Sequence, residues 1–199
     1  MREESKAERQ RHIEDVAYRL TRDRGYGSVS MLTIATEARA SNQTLYRWYG
    51  SKRGLFKAMV ERNARATAEA LNAAIEDRAD AIATLESIAP ILLSMLLSEG
   101  AILLNRAAAA DETGELGATI NLAGRSAVLP LIETVIARGM ATGRLNAPSA
   151  RIAADWFLGL LVGDQQIRRV IRTLEQPAQA DVGSRAANAV LAFRKLCRA

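Results

Sequence analysis

The chain has 199 residues, 49% apolar and 25% charged, which is long enough to bury a core without disulfide or metal staples. One cysteine excludes an internal disulfide, and a single histidine far from it leaves no metal-ligand cluster; no phosphate loop, nucleophile elbow or paired-carboxylate motif supports an enzyme, and no cofactor is implied. The net charge of +5 is unevenly placed: residues 1–60 hold 12 Lys/Arg against 7 Asp/Glu, while the remainder balances at 15 of each, so the first third is the part suited to a polyanion.

The opening residues carry acids and no apolar stretch, which predicts no secretory signal, and the lone Cys197 fits a reducing cytoplasm. Ile13, Val16, Ala17 and Leu20 recur at helical spacing and predict a first helix ending near Gly25. Ser30 is the expected N-cap of a short second helix with Met31, Ile34, Ala35 and Ala38 inward. After a break at Arg39-Ala40, Ser41 caps a third helix reaching Trp48. Ser51 then caps a long fourth helix with Leu55, Phe56, Met59 and Val60 inward.

Beyond residue 65, helices are predicted over 81–97, 100–112 and 116–140, the last kinked at Pro130. The most apolar stretch, 88–104, is interrupted by Ser94, Ser98 and Glu99 and falls short of a membrane span. Another helix is expected over 149–173, with Trp156, Leu160, Gly163 and Ile167 on one stripe. A final one carries Val182, Ala186, Val190, Phe193 and Cys197. No alternating strand pattern appears, so the expected fold is all-α with about nine helices: a three-helix DNA-binding unit over 1–50 and a helical body over 51–199.

Residues 30–48 have the length and patterning of a helix-turn-helix. With Leu45 as the buried anchor and about 100° per residue, Gln43 and Arg47 point away from the core. Thr44 and Tyr46 lie on the flanks, and Asn42 and Trp48 fall nearer the body. Gln can pair with adenine, Arg with guanine, and a Thr methyl can touch thymine. Ser30 and Ser51-Lys52 open helices whose N-termini suit backbone phosphates.

Residues 12–62 resemble the N-terminal domain of the TetR family of regulators. The likeness rests on Gly25-Tyr26, Ile34-Ala35, Ala38-x-Ala40-Ser41, Thr44-Leu45-Tyr46-Arg47-Trp48-Tyr49 and Ser51-Lys52-x-x-Leu55-Phe56. It implies that Tyr46 and Lys52 touch phosphates and that Asn42, Gln43, Thr44 and Arg47 face bases. Three departures stand out: Arg39 where the turn usually has Gly, Leu32 where a basic residue is common, and Trp48-Tyr49 in place of Tyr-Phe. A weaker likeness over Gly143-x-Leu145, Ala153-Ala154 and Leu158-Gly159-Leu160 implies a homodimer through the last two helices, their small residues Gly159, Gly163, Ala186 and Ala189 allowing close approach.

The resemblance also implies an effector pocket among the middle helices, with Leu92, Met95, Leu96, Asn105, Asn121, Arg125, Trp156 and Phe157 as candidate lining for a largely apolar small molecule with one polar or acidic end. The resulting expectation is a cytoplasmic repressor released by that molecule from a palindromic operator in double-stranded DNA, with no membrane partner. The alternative is a helical module that sequesters small molecules or lipids behind a decayed DNA-binding domain.

Overall fold

The computed structural model describes residues 3–198, and every described element is helical. In chain order these are α1 (Glu3–Arg24), α2 (Met31–Glu37), α3 (Asn42–Tyr49), α4 (Lys52–Glu76), α5 (Ala81–Leu97), α6 (Glu99–Ala109), α7 (Glu115–Ile120), a π-helical turn (Asn121–Arg125), α8 (Ser126–Ala141), α9 (Ala150–Val162), α10 (Gln165–Val170) and α11 (Gln179–Leu196).

The helix starts follow the hydroxyl signals in the sequence. Ser30, Ser41 and Ser51 each accept the N–H three residues on, at 3.0 Å, which satisfies a donor the helix cannot pair internally and contributes about 1 kcal/mol apiece. The helix ends rely on arginine. Arg39, Arg78 and Arg172 take left-handed φ of 50°, 52° and 64° just past α2, α4 and α10. After α2, Ala40 N–H bonds Ala35 O and Arg39 N–H bonds Thr36 O, so the last carbonyls are closed in a Schellman turn.

Other guanidinium groups reach across to free carbonyls, where their charge also meets the negative end of the helix dipole. Arg138 bonds the carbonyls of Ala74, Ile75 and Ala79 at the end of α4. Arg185 does the same for Leu160 and Leu161 at the end of α9, and Arg106 for Arg169 and Val170 at the end of α10.

Two predicted elements differ. The helix expected over 149–173 breaks at Gly163, whose φ of 54° with ψ of −132° no L-residue adopts comfortably, giving α9 and α10 instead of one rod. Pro130 lies within α8, and the run before that helix widens into a π turn not expected from the sequence, a turn that helices use to absorb an irregular hydrogen-bond ladder. Among the described residues the unbroken run Glu115–Ala141 is long and apolar enough to match a bilayer, and the stretch 88–104 lies in a pair of helices, Ala81–Leu97 and Glu99–Ala109, that passes only when taken together across a 52° bend. The run Glu115–Ala141 packs along α4, α5 and α9 and buries Val128, Leu129, Ile132, Val135 and Ile136 inside the protein.

Apolar side chains gather in two cores. One holds Ile13, Leu20, Ile34, Leu45, Leu55 and Phe56 from α1–α4 and also takes Leu104, Leu116 and Ala123 from the body. The larger one joins α4, α5, α8, α9 and α11 around Leu71, Leu85, Leu93, Ile132, Phe157 and Phe193. Helix α4 therefore contributes its first half to one core and its second half to the other.

Candidate DNA-reading surface and ligand cavity

Helix α3 buries only Leu45, at 0% exposure, against α1, α2 and α4. Asn42, Gln43, Tyr46 and Arg47 are exposed, while Thr44 and Trp48 are half-buried. Gln43, Thr44, Tyr46, Arg47 and Trp48 fall where the helical angle from Leu45 puts them, whereas Asn42, expected nearer the body, is exposed in the first turn of the helix. The Thr44 hydroxyl lies 2.8 Å from Ser41 Oγ, so Thr44 meets its surroundings mainly through its methyl. The Ser30 hydroxyl is likewise shared with Thr33 at 2.8 Å. Trp48 packs against the first core beside Tyr49.

In the turn between α2 and α3 the Arg39 carbonyl accepts from the Arg9 guanidinium of α1, a clamp no sequence pattern announced. Leu32 is 62% exposed, an apolar side chain on the same outer surface as Ser30.

Lys52 sits less freely than expected. Its ammonium bonds the carbonyls of Tyr26 and Gly27, with the latter at 3.4 Å, and lies 4.1 Å from the centre of the Tyr26 ring. Burial pushes the Lys52 ammonium below its ordinary value, and burial of the Tyr26 hydroxyl raises that group to about 12. Two of the three ammonium hydrogens serve the α1–α2 loop, leaving one to face outward.

Behind α3, the Arg62 guanidinium of α4 joins Glu14 at 3.1 Å and Asp15 at 2.5 Å on α1. Glu14 is 7% exposed, and burial raises its carboxyl although Arg62 opposes the shift. Tyr49 ends α3 with longer contacts of 3.4 Å to Glu14 and to the Gln10 carbonyl.

A cavity of about 500 Å³ lies between the two cores. Leu92, Met95, Leu96, Asn105, Asn121 and Arg125 all border it, drawn from α5, α6 and the π turn. Trp156 and Phe157 do not. Phe157 is fully buried edge-to-face against Phe193, with centroids 5.5 Å apart, and Trp156 shares a half-exposed face of α9 with Ile152 and Leu160. A 100° step separates neighbours on a helix, and the cavity face of α9 is carried by Asp155, Leu158, Gly159 and Val162.

Asn63, Asp155 and Gln166 also border the cavity and were not anticipated. The one available signal was a polar residue interrupting an apolar stripe, as Asn63 does between Val60 and Ala64. Arg125 pairs with Asp155 at 2.9 Å, both about half exposed, so the rim is charged but internally compensated. Val60 and Leu104 border the cavity and belong to the first core, whereas Leu92, Leu129 and Ile132 border it and belong to the second.

Residues 13–59 match the model of the tetR family of bacterial regulatory proteins, and residues 83–196 match the AefR-like transcriptional repressor C-terminal domain. Among solved structures, a TetR transcriptional regulator from Agrobacterium tumefaciens is 28% identical, with 95% of this chain and 94% of that one covered and a TM-score of 0.73. A TetR-family regulator from Mesorhizobium loti MAFF303099 is 23% identical over 97% and 98%, at a TM-score of 0.77. The fold is shared too by FadR from Bacillus subtilis, solved with stearoyl-CoA, at 15% identity, 92% and 96% coverage and a TM-score of 0.72. No curated protein matches the chain.

Proposed function

The chain belongs to the TetR family of transcriptional regulators, and from that premise we propose that it is a homodimeric repressor released from a palindromic operator by a small molecule. The observation that carries this reading is the position of the cavity on the seam between the two cores. Val60 and Leu104 serve as wall for a guest and as packing for the α1–α4 unit, so a guest that moves them moves the platform of α3. The ligand shifts the equilibrium only by the difference in its affinity for the two arrangements.

In this reading residues 1–50 with the first half of α4 form the DNA-reading unit, and the rest forms the sensing and dimerising body. Gln43 and Arg47 read base edges, with Asn42 and the Thr44 methyl beside them. Tyr46 and the remaining donor of Lys52 hold phosphates, and Ser30 and Trp48 set the depth of entry.

The dimer forms through α9 and α11. Ile152, Leu191 and Leu196 remain 40%, 51% and 55% exposed there, and a Cβ added at Gly183 would meet nothing within 4 Å, which leaves room for a partner helix, whereas Gly159 borders the cavity. Ala186 and Ala189 are instead buried within the subunit, and Gly163 ends α9 against Arg185. The protein works in the cytoplasm, where its DNA is.

Selection from random duplex DNA at physiological salt tests the reading, and an enriched inverted repeat is the expected result. On that site Arg47→Ala relaxes preference at one base pair, at a cost of roughly 1–3 kcal/mol. Lys52→Ala weakens all sequences alike and lowers the salt slope. Selection yielding no repeat, with binding that vanishes as salt rises, refutes sequence-specific regulation.

A further inference from the structure

The cavity wall is apolar apart from the rim pair Arg125–Asp155 and four carboxamides, those of Asn63, Asn105, Asn121 and Gln166. Each carboxamide nitrogen carries two hydrogens. Asn105 gives one to the Ala101 carbonyl at 2.8 Å and Gln166 gives one to the Leu96 carbonyl at 3.1 Å, and each keeps its second.

Asn63 stands apart from these. Its Nδ2 is buried without a hydrogen bond, a condition shared among the described residues only by Thr67 Oγ1, one turn along α4. Thr67 is fully buried and outside the wall, so Asn63 is the member of the pair that a guest can reach. A buried donor left without a partner costs free energy that an acceptor recovers, and folded proteins leave few of them.

The polar neighbour of this amide is already engaged. The Tyr18 hydroxyl gives its hydrogen to the Met59 carbonyl at 3.1 Å. Burial raises that hydroxyl while Arg62 and the Asn63 amide oppose the shift, so the two side chains are neighbours, but no hydrogen bond of ordinary geometry joins them. Gly100 of α6 is close as well: a Cβ there would stand 3.3 Å from Asn63 Oδ1 and 3.3 Å from the Tyr18 ring. On the wall Asn63 is flanked by Val60 of the first core and Ala64 of the second, so a group that grips it grips α4 at the seam.

We propose that the cavity takes a small aliphatic molecule whose head carries a carbonyl oxygen, and that Asn63 is the donor that seats that oxygen. The second hydrogens of Asn105 and Gln166 are available to the same guest. No aromatic side chain borders the space, so the wall offers a chain dispersion contacts rather than ring stacking. The volume of about 500 Å³ equals that of roughly sixteen waters at about 30 Å³ each, enough for a chain of roughly ten carbons and its head. Ketone, ester, amide and carboxylate share the carbonyl oxygen, and the test separates neutral from charged heads. The inference rests on the reading of the cavity as the effector site.

2-Octanone and 2-methyl-1-octene have the same outline, with oxygen in one where the other has a methylene, so the ratio of their affinities isolates the acceptor. The full-length protein is titrated calorimetrically at neutral pH with 2-octanone and octanoate, and the alkene is measured by displacement. Asn63→Leu is expected to lower the ketone-to-alkene affinity ratio about tenfold, and a thermal melt checks that the variant folds. Infrared difference spectra give a second reading that needs no variant. In the parent the carbonyl stretch of bound 2-octanone should lie below its value in alkane, as a hydrogen-bonded carbonyl does.

An unchanged ratio, or a bound ketone whose carbonyl stretches at its alkane value in the parent, overturns the assignment of Asn63 and the ligand class with it. Octanoate weakened in step with the ketone extends the class to the acid, whereas octanoate unaffected by Asn63→Leu restricts it to neutral carbonyls; either upholds the donor. Repeating the titration with the selected inverted repeat present separates this inference from the effector reading: ketone bound through Asn63 with DNA affinity unaltered upholds the ligand class and rejects the effector role. Absence of binding by all three probes overturns both.

Discussion

Replacing Gly54 by alanine sets two effects of opposite sign against each other. In an ordinary helix the change stabilises by up to about 1 kcal/mol, because alanine loses less backbone freedom on folding. Here a Cβ on Gly54 would be driven into the Tyr49 carbonyl oxygen and would stand 3.0 Å from its carbon. Both atoms are backbone, at the end of α3, and cannot rotate aside as a side-chain tip would. Relief requires the α3–α4 corner to open, although it is tied by the Ser51 cap on Gly54 N–H and by the Gly50 N–H bond to Tyr46 O.

Overpacking of this kind costs roughly 1–3 kcal/mol or more, so it outweighs the helical gain. A net loss of about 1–2 kcal/mol lowers the melting midpoint by roughly 2–8 °C for a chain of this size. Thermal denaturation by circular dichroism reads it directly. The same opening tilts α3, so operator affinity falls more than nonspecific affinity. A Gly54→Ala protein at least as stable as the parent, with operator binding intact, would refute the close approach on which this rests.

Arg39→Gly relieves a left-handed backbone that costs a non-glycine residue roughly 1–2 kcal/mol, less the chain entropy glycine adds, and the Arg9 clamp survives because it grips the carbonyl. The variant is expected to be up to about 1 kcal/mol more stable by urea denaturation. Phe157→Ala should destabilise by about 3–5 kcal/mol by emptying a fully buried site beside Phe193, whereas Trp156→Ala costs far less in the isolated subunit; equal losses would misplace the two rings. Glu14 carries a carboxyl raised above the usual 4.5 by burial, opposed by Arg62 and Arg65. Its protonation in the folded state at higher pH than in the unfolded one favours folding below the unfolded value, and that advantage disappears as pH rises through the folded one. Glu14→Gln should therefore gain stability relative to the parent as pH rises from 4 to 7, with Arg62 keeping Asp15; a difference that shrinks over that range contradicts the shift.

What could be read directly from the residues was local. Serines at 30, 41 and 51 cap helices because a hydroxyl three residues before an N–H reaches it whatever surrounds them. The outward set on α3 follows from Leu45 and the helical angle alone. The all-helical architecture follows from apolar spacing, summed over many residues. Even six of the eight cavity residues proposed from family likeness border the space.

The remainder depended on partners distant in sequence. The group that grips the Arg39 carbonyl is Arg9, thirty positions away. Lys52 was diverted toward the α1–α2 loop by the Tyr26 ring and carbonyls. Phe157 and Trp156, one step apart, went to the core and to an outer face because α9 is rotated by what α8 and α11 offer it. Arg125 on the cavity rim pairs with Asp155, thirty residues on, a partner its own helix does not supply. A side chain's type and spacing determine which helix face it occupies; the group it finally meets is set by long-range packing, which no local pattern encodes.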